Sequence, residues 1–144
     1  MKKLLAFALL TSTILLSACL SPPEGIEVAI AAPETVAAGD FFDVTVTIAN
    51  QTEETQTLTS IDIDTDYLEG ISLIDSTPLY ADSWDLSLIG IMSYDYYSDI
   101  PPGQSLEINF QMTGVLEGKY EGDLDVCINT ETDCVFGTVV TEVE

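Results

Sequence analysis

Four acidic residues form the densest group of oxygen ligands in the sequence. Asp62, Asp64 and Asp66 alternate along a stretch with strand character, and Glu69 follows three positions later. Because Ca²⁺ binds ~6–8 oxygen atoms, alternate aspartates on one strand face would begin a calcium site. The stretch departs from an EF-hand loop, since Tyr67 stands at the sixth position where glycine is needed. The alternative is a solvated outer strand face, and the sequence leaves both interpretations open.

A second group of residues places aromatic rings among carboxylates. It comprises Trp84, Tyr94, Tyr96 and Tyr97, and aspartates are interspersed between them. Exposed rings beside carboxylates would suit stacking on a sugar or anchoring a protein partner. The alternative is that some of these rings pack in the core while others lie at a sheet edge.

The cysteines divide into one near the amino terminus and a pair near the carboxyl terminus. Cys127 and Cys134 enclose six residues that have the composition of a hairpin tip. In an exported protein this spacing predicts a disulfide. A metal site is the competing interpretation, but it would need further ligands, and the sequence has no histidine and no Cys-x-x-Cys. We expect a structural disulfide, because no nearby positive charge would lower a thiol pKa.

The amino-acid composition argues against catalysis. The absence of histidine excludes Ser-His and Cys-His pairs and an ordinary catalytic zinc site. A carboxylate pair could in principle cleave a glycoside, but 25 acidic residues single out no particular pair. The sequence therefore predicts a protein without enzymatic activity and without a cofactor, unless calcium is bound.

The charge of the chain restricts its partners. The net charge is −22, and after residue 18 Lys119 is the only cation against 25 acidic side chains, a difference of −24. Such a surface excludes nucleic acid as a partner, because phosphates require clustered lysine and arginine. The acidity favours either cation binding and capture of a basic partner, or solubility alone, for instance in a salty habitat.

Residues 1–18 have the layout of a secretory signal peptide. Two lysines precede an apolar run over 4–16, which is shorter than the ~20 residues of a membrane span. The ending Leu16-Ser17-Ala18-Cys19 resembles the lipobox of bacterial lipoproteins. The resemblance implies cleavage before Cys19, lipid on its thiol, and attachment to the outside of the cell membrane. Leu20 favours the outer membrane in a cell with two, and residues 19–25 would form a short tether.

Period-two alternation dominates the chain after the tether. Residues 42–48 and 106–112 alternate apolar and polar side chains, and Gly, Pro and Asp mark turns between such segments. A further strand is expected over 86–92, and a bulge between Leu58 and Ile61. No segment has helical periodicity. The pattern predicts one all-β domain over 26–144, an antiparallel sandwich of seven or eight strands.

Several short motifs resemble immunoglobulin-like modules of bacterial and archaeal surface proteins, including those related to cell adhesion. They are Pro33-x-x-Val36-x-x-Gly39-Asp40-x-Phe42, Pro102-Gly103-x-Ser105 and Gly118-x-Tyr120-x-Gly122. The resemblance implies an immunoglobulin-like sandwich, with Tyr120 in a tyrosine corner. It also implies adhesion, spacing, or contact with an envelope protein or glycan, and it supplies no catalytic residues.

These observations predict a lipid-anchored lipoprotein of the cell envelope that acts as a binding, adhesion or structural module. The alternative is an envelope lipoprotein that binds calcium or a small ligand through its acidic loops.

Overall fold

The computed structural model describes residues 22–144, so the predicted signal peptide and Cys19 lie outside the described residues. No helix in the described range has the length and hydropathy needed to cross a membrane. One short helix is present, α1 (Thr65–Leu68). The strands are β1 (Ile26–Ala31), β2 (Thr35–Val36), β3 (Phe41–Asn50), β4 (Gln56–Asp64), β5 (Ile71–Thr77), β6 (Asp82–Leu86), β7 (Ile91–Ile100), β8 (Ser105–Gly114), β9 (Gly118–Ile128) and β10 (Cys134–Val143).

The strands form two sheets packed face to face. The smaller sheet has the order β1-β3-β8-β5, and the larger has the order β2-β10-β9-β4-β7-β6. All pairings are antiparallel except that of β2 with β10, which is parallel. The predicted all-β sandwich is confirmed.

The core lies between the sheets and is built by alternation. On β3, Val44, Val46 and Ile48 are fully buried, and on β8 their partners include Phe110 and Ile108, which are equally buried. Ile61 and Ile63 of β4 supply the facing layer from the larger sheet. Because successive strand residues point to opposite faces, the buried residues of β3 alternate with residues on the solvent side.

Two predicted features of the strands need correction. The structure has ten strands rather than seven or eight, because it adds the two-residue β2 and the edge strand β6. The prediction of a strand over 86–92 was wrong. In the structure β6 ends at Leu86, a 3-10 turn spans Ser87–Ile89, and β7 begins at Ile91. Gly90 between them has a φ of 80°, a left-handed conformation that ends the turn.

The expected bulge in β4 is present against β9, where Leu58 pairs with Ile128 and Ser60 with Cys127, so that Thr59 is the extra residue. β7 has a bulge of its own against β4, because its residues 96 and 97 stand opposite the single residue Thr59. Tyr97 has a φ of 50°, which is uncommon for a residue other than glycine. Bulges of this kind change the direction of a side chain next to a functional site.

The disulfide predicted between Cys127 and Cys134 is present at the tip of the β9–β10 hairpin. The two cysteines are register partners at the ends of their strands. The bond therefore closes the hairpin tip, which carries Glu131.

Tyr120 forms the tyrosine corner expected from its position. Its hydroxyl donates a 3.4 Å hydrogen bond to the carbonyl oxygen of Glu117, just upstream. The ring lies against Gly70, where an added Cβ would approach the ring carbon Cζ to 1.8 Å. The absence of a side chain at Gly70 is therefore what allows the ring to dock at this position.

Substitution of Gly70 tests this packing. We expect Gly70→Ala to lower the free energy of unfolding by about 1–3 kcal/mol, the usual cost of overpacking a filled site. In a Tyr120→Ala background the same change should cost much less, because the ring that clashes is gone. Urea denaturation of the four proteins measures both values. Equal costs in the two backgrounds would contradict the proposed contact.

Removal of the disulfide tests its contribution to stability. The bond joins residues seven positions apart, and chain-entropy arguments assign about 2–3 kcal/mol to so short a loop. The double variant Cys127→Ala with Cys134→Ala should lose that amount in urea denaturation. Labelling of two free thiols in unreduced, unfolded wild-type protein would refute the disulfide itself.

Candidate functional site

The structure separates the four aromatic residues that the sequence grouped together. Tyr94 and Tyr96 lie in the core, 5% and 6% exposed, and their rings contact Phe110. Burial raises the pKa of both phenols to about 12. Trp84 and Tyr97 instead remain 53% and 59% exposed. A surface role is therefore open to Trp84 and Tyr97, whereas Tyr94 and Tyr96 stabilise the sandwich.

One carboxylate connects the two exposed rings. Oδ2 of Asp95 accepts a 2.9 Å hydrogen bond from Nε1 of Trp84 and a 3.1 Å hydrogen bond from the hydroxyl of Tyr97. Asp95 itself is only 6% exposed. The hydrogen bond that Tyr97 donates to Asp95, reinforced by the charge of that carboxylate, raises the pKa of Tyr97 above its usual value. Both rings are thus held on the solvent face of the larger sheet before any ligand arrives.

A groove of about 280 Å³ lies beside this pair of rings. It is lined by Trp84 and Leu86 of β6, Ser93 and Asp95 of β7, and Glu131 of the hairpin tip. Its lining therefore combines apolar and acidic side chains. We call these five residues the Trp84 groove.

Sequence reasoning identified Trp84 and Tyr97, treated Asp95 only as one of several interspersed aspartates, and missed Glu131. Strand alternation could have indicated part of this arrangement, because residues 95 and 97 share the strand face opposite to that of residues 94 and 96. Alternation alone would have placed Asp95 beside Tyr97. The hydrogen bond to Trp84 depends on the register of β6 with β7, in which Trp84 is the partner of Ser93.

The structure places the predicted calcium ligands apart in two environments. Asp62 and Asp64 lie on β4, where Oδ1 of Asp62 accepts a 2.6 Å bond from Ser93 Oγ and Oδ2 of Asp64 accepts a 2.9 Å bond from the Asp123 amide. Asp66 belongs to α1 and Glu69 follows that helix, both exposed. Within residues 22–144, no three acidic or cysteine side chains lie close enough to hold a metal ion. Calcium binding by this quartet stays a prediction without geometric support.

The carboxylate most altered by its surroundings is Asp125. It is the register partner of Asp62 across β4 and β9. Burial raises the pKa of Asp125 to about 6, and the charges of Asp123, Asp62 and Asp64 add to the effect. Its Oδ1 is buried and accepts no hydrogen bond in the described residues. Ionising Asp125 therefore opposes folding.

This effect predicts a pH-dependent stabilisation by Asp125→Asn. The pKa of Asp125 is higher in the folded state than its usual value of 3.8. The contribution of the protonated carboxyl to the free energy of unfolding is therefore fully present below about pH 4 and is lost as the pH rises through about 6. The variant should raise Tm at pH 8 and change it less at pH 5. The exposed residue Asp43 supplies a matched control, Asp43→Asn. Thermal melts that show the same shift at both pH values would contradict this account.

Comparison with known proteins identifies the family through the sequence and supports the fold through structures. Residues 21–144 match the model of the fourth immunoglobulin-like domain of Trs120/TRAPPC9. No curated protein matches the chain.

Solved structures of several different kinds of protein share this fold. A cohesin module from a Clostridium perfringens family 33 glycoside hydrolase has a TM-score of 0.53 at 12% identity, over 83% of this chain and 96% of that one. The cupredoxin domain of amoB from Nitrosocaldus yellowstonii has a TM-score of 0.52 at 11% identity, over 85% and 89%. Elastase-activated alpha-2-macroglobulin from Escherichia coli has a TM-score of 0.52 at 16% identity, over 83% of this chain but 9% of that one.

Identities this low show a common fold and nothing of function. The family match is more extensive, since it covers every strand of the sandwich. The chain belongs to the family of the fourth immunoglobulin-like domain of Trs120/TRAPPC9.

Proposed function

We propose that this protein is a lipid-anchored module of the cell envelope that binds a partner without catalysing a reaction. Two independent features support the two halves of this proposal. The lipobox-like ending at Cys19 supports the anchor, and the fixed pair of exposed rings, Trp84 and Tyr97, supports binding.

The binding role depends mainly on one observation: Asp95 holds Trp84 and Tyr97 in place at the surface. An exposed aromatic side chain normally loses rotamer freedom when a partner binds, and this loss of conformational entropy weakens affinity. Here the hydrogen bonds restrict both rings in advance. Aromatic residues with such a fixed position are typical anchors of protein interfaces.

The geometry of the grooves supports a non-catalytic role. The described residues also line a groove of about 230 Å³, formed by Asp43, Asp75, Thr77, Asn109 and Gln111, and a groove of about 340 Å³ around Lys119. General acid–base catalysis needs neighbouring groups whose pKa values are shifted apart. Asp125, the carboxylate with the raised pKa of about 6, lines none of these three grooves.

The charge of the domain supports attachment through lipid. A domain with one lysine and many carboxylates is repelled by anionic headgroups, so it cannot bind such a membrane by charge. Diacylation of Cys19 would supply the two hydrocarbon chains that stable anchoring needs. The first strand begins at Ile26, and the six residues between reach at most about 20 Å. The domain would therefore be presented close to the membrane surface.

Replacement of Cys19 tests the anchor. We expect Cys19→Ala to shift the protein from the membrane fraction to the soluble fraction, because the thiol that accepts the lipid is gone. Cys127→Ala with Cys134→Ala serves as the matched control, since it removes thiols elsewhere and should leave the protein in the membrane fraction. Fractionation and immunoblotting of the native host measure the distribution. Full membrane retention of Cys19→Ala would refute the proposal.

A further inference from the structure

We propose that β6 is a docking edge for an extended segment of a partner protein, in which a lysine or arginine enters the Trp84 groove and apolar residues lie beside it. This inference rests on the proposed function and deepens it by naming the surface and the chemistry of the partner. Four features of β6 and its surroundings support it.

The first feature is an open sheet edge. β6 is the terminal strand of the larger sheet and pairs with β7 along its whole length. All five of its residues, Asp82–Leu86, are exposed. The outer N–H and C=O groups of a terminal strand are a template for another extended chain, and many peptide-binding domains use this mode of recognition.

The other three edges are less suitable for docking. β2 has only two residues, and a register shift between Leu73 and Asp75 interrupts β5. β1 is longer, but its exposed side chains are Glu27, Ala29 and Ala31, which offer no large apolar surface. β6 is thus the edge that combines an uninterrupted hydrogen-bonded ladder with large exposed apolar side chains.

The second feature is the apolar surface at this edge. Trp84 and Leu86 are exposed on β6, and the turn that follows exposes Ile89 by 70% and Leu88 completely. Soluble proteins usually protect an edge strand with lysine, proline or a bulge. β6 contains no lysine, proline or bulge; its two charges come from Asp82 and Asp85, and the Ser83 amide donates a 2.8 Å hydrogen bond to the Asp82 carboxylate.

The third feature is the groove that receives one side chain of the partner. The lining of this groove includes Trp84 together with the acidic residues Asp95 and Glu131, and the Trp84 indole donates a hydrogen bond to Asp95. An aromatic face beside carboxylates attracts a cation through both the ring quadrupole and the charge. A lysine or arginine side chain would contact the aromatic ring and the acidic residues of the groove at once.

The fourth feature is the charge balance, which selects a basic partner over a second copy of this chain. A second copy of this chain would carry the same excess of carboxylates, with one lysine against 25 acidic side chains after residue 18. Repulsion between two such strongly acidic domains opposes their association through β6. Lys119 is the single cation of the described range, and it lies on β9 in the groove of about 340 Å³ rather than at β6. A basic segment faces no such repulsion.

The fluorescence of Trp84 provides a direct assay, because it is the only tryptophan of the protein. The probe is a nine-residue capped peptide of alternating lysine and valine, added to the detergent-solubilised full chain at about 0.15 M salt, where long-range attraction is screened. We expect a saturable change in Trp84 emission. The same peptide with glutamate in place of lysine should give none.

Two controls separate edge docking from general attraction between opposite charges. Asp95→Asn keeps the shape of the site and should weaken peptide binding at least tenfold. Asp40→Asn makes the same charge change in the exposed turn before β3 and should alter binding less than twofold. A peptide methylated on alternate backbone amides should not bind, because it cannot pair with β6.

Three results would overturn the inference. These are equal losses for Asp95→Asn and Asp40→Asn, undiminished binding of the methylated peptide, or a concentration-dependent dimer that forms through β6. Failure of this inference is distinguishable from failure of the anchor. A membrane-bound wild-type protein that ignores the lysine–valine peptide contradicts edge docking alone, whereas a soluble protein that binds the peptide contradicts the anchor alone.

Discussion

The alternation of side chains along each strand is the constraint on which the rest of this structure depends. It fills the space between the sheets with apolar residues and forces the charges onto the outer faces. Since Lys119 is the one cation in the described part of the chain, carboxylates there must rely on water or neutral donors. Ser93 donates to Asp62, and the Asp123 amide donates to Asp64. The outer face of the larger sheet is organised by these bonds.

Asp95 is the clearest product of that constraint. A nearly buried carboxylate without a cationic partner is costly unless hydrogen bonds satisfy it. Trp84 and Tyr97 provide those bonds, and in doing so they become fixed at the surface. The left-handed backbone of Tyr97 fits the same explanation, because strained residues persist where their surroundings hold them in place. The hydrogen bonds that satisfy this one carboxylate thereby fix two aromatic rings at the surface, as the proposed binding role requires.

The sequence predicted the parts of the fold that depend on local pattern. β3 and β8 were recognisable because residues 42–48 and 106–112 alternate apolar and polar side chains, and the cysteine spacing predicted the hairpin disulfide. The strand expected over 86–92 failed because a left-handed glycine breaks it, which the apolar pattern does not reveal. The candidate site could be predicted only in part. Trp84 and Tyr97 were identified, but their link through Asp95 depends on the register of β6 against β7, a long-range property that no local pattern encodes.

The central claim is that β6 and the Trp84 groove form the binding face of this domain. Amide hydrogen exchange of the full chain, with and without the lysine–valine peptide, tests it most directly because it reports on every strand edge at once. The account predicts slower exchange confined to Asp82–Leu86 and the adjoining hairpin tip around Glu131. Slower exchange at β1 or β5 instead, or no change at β6 under saturating peptide, would contradict it.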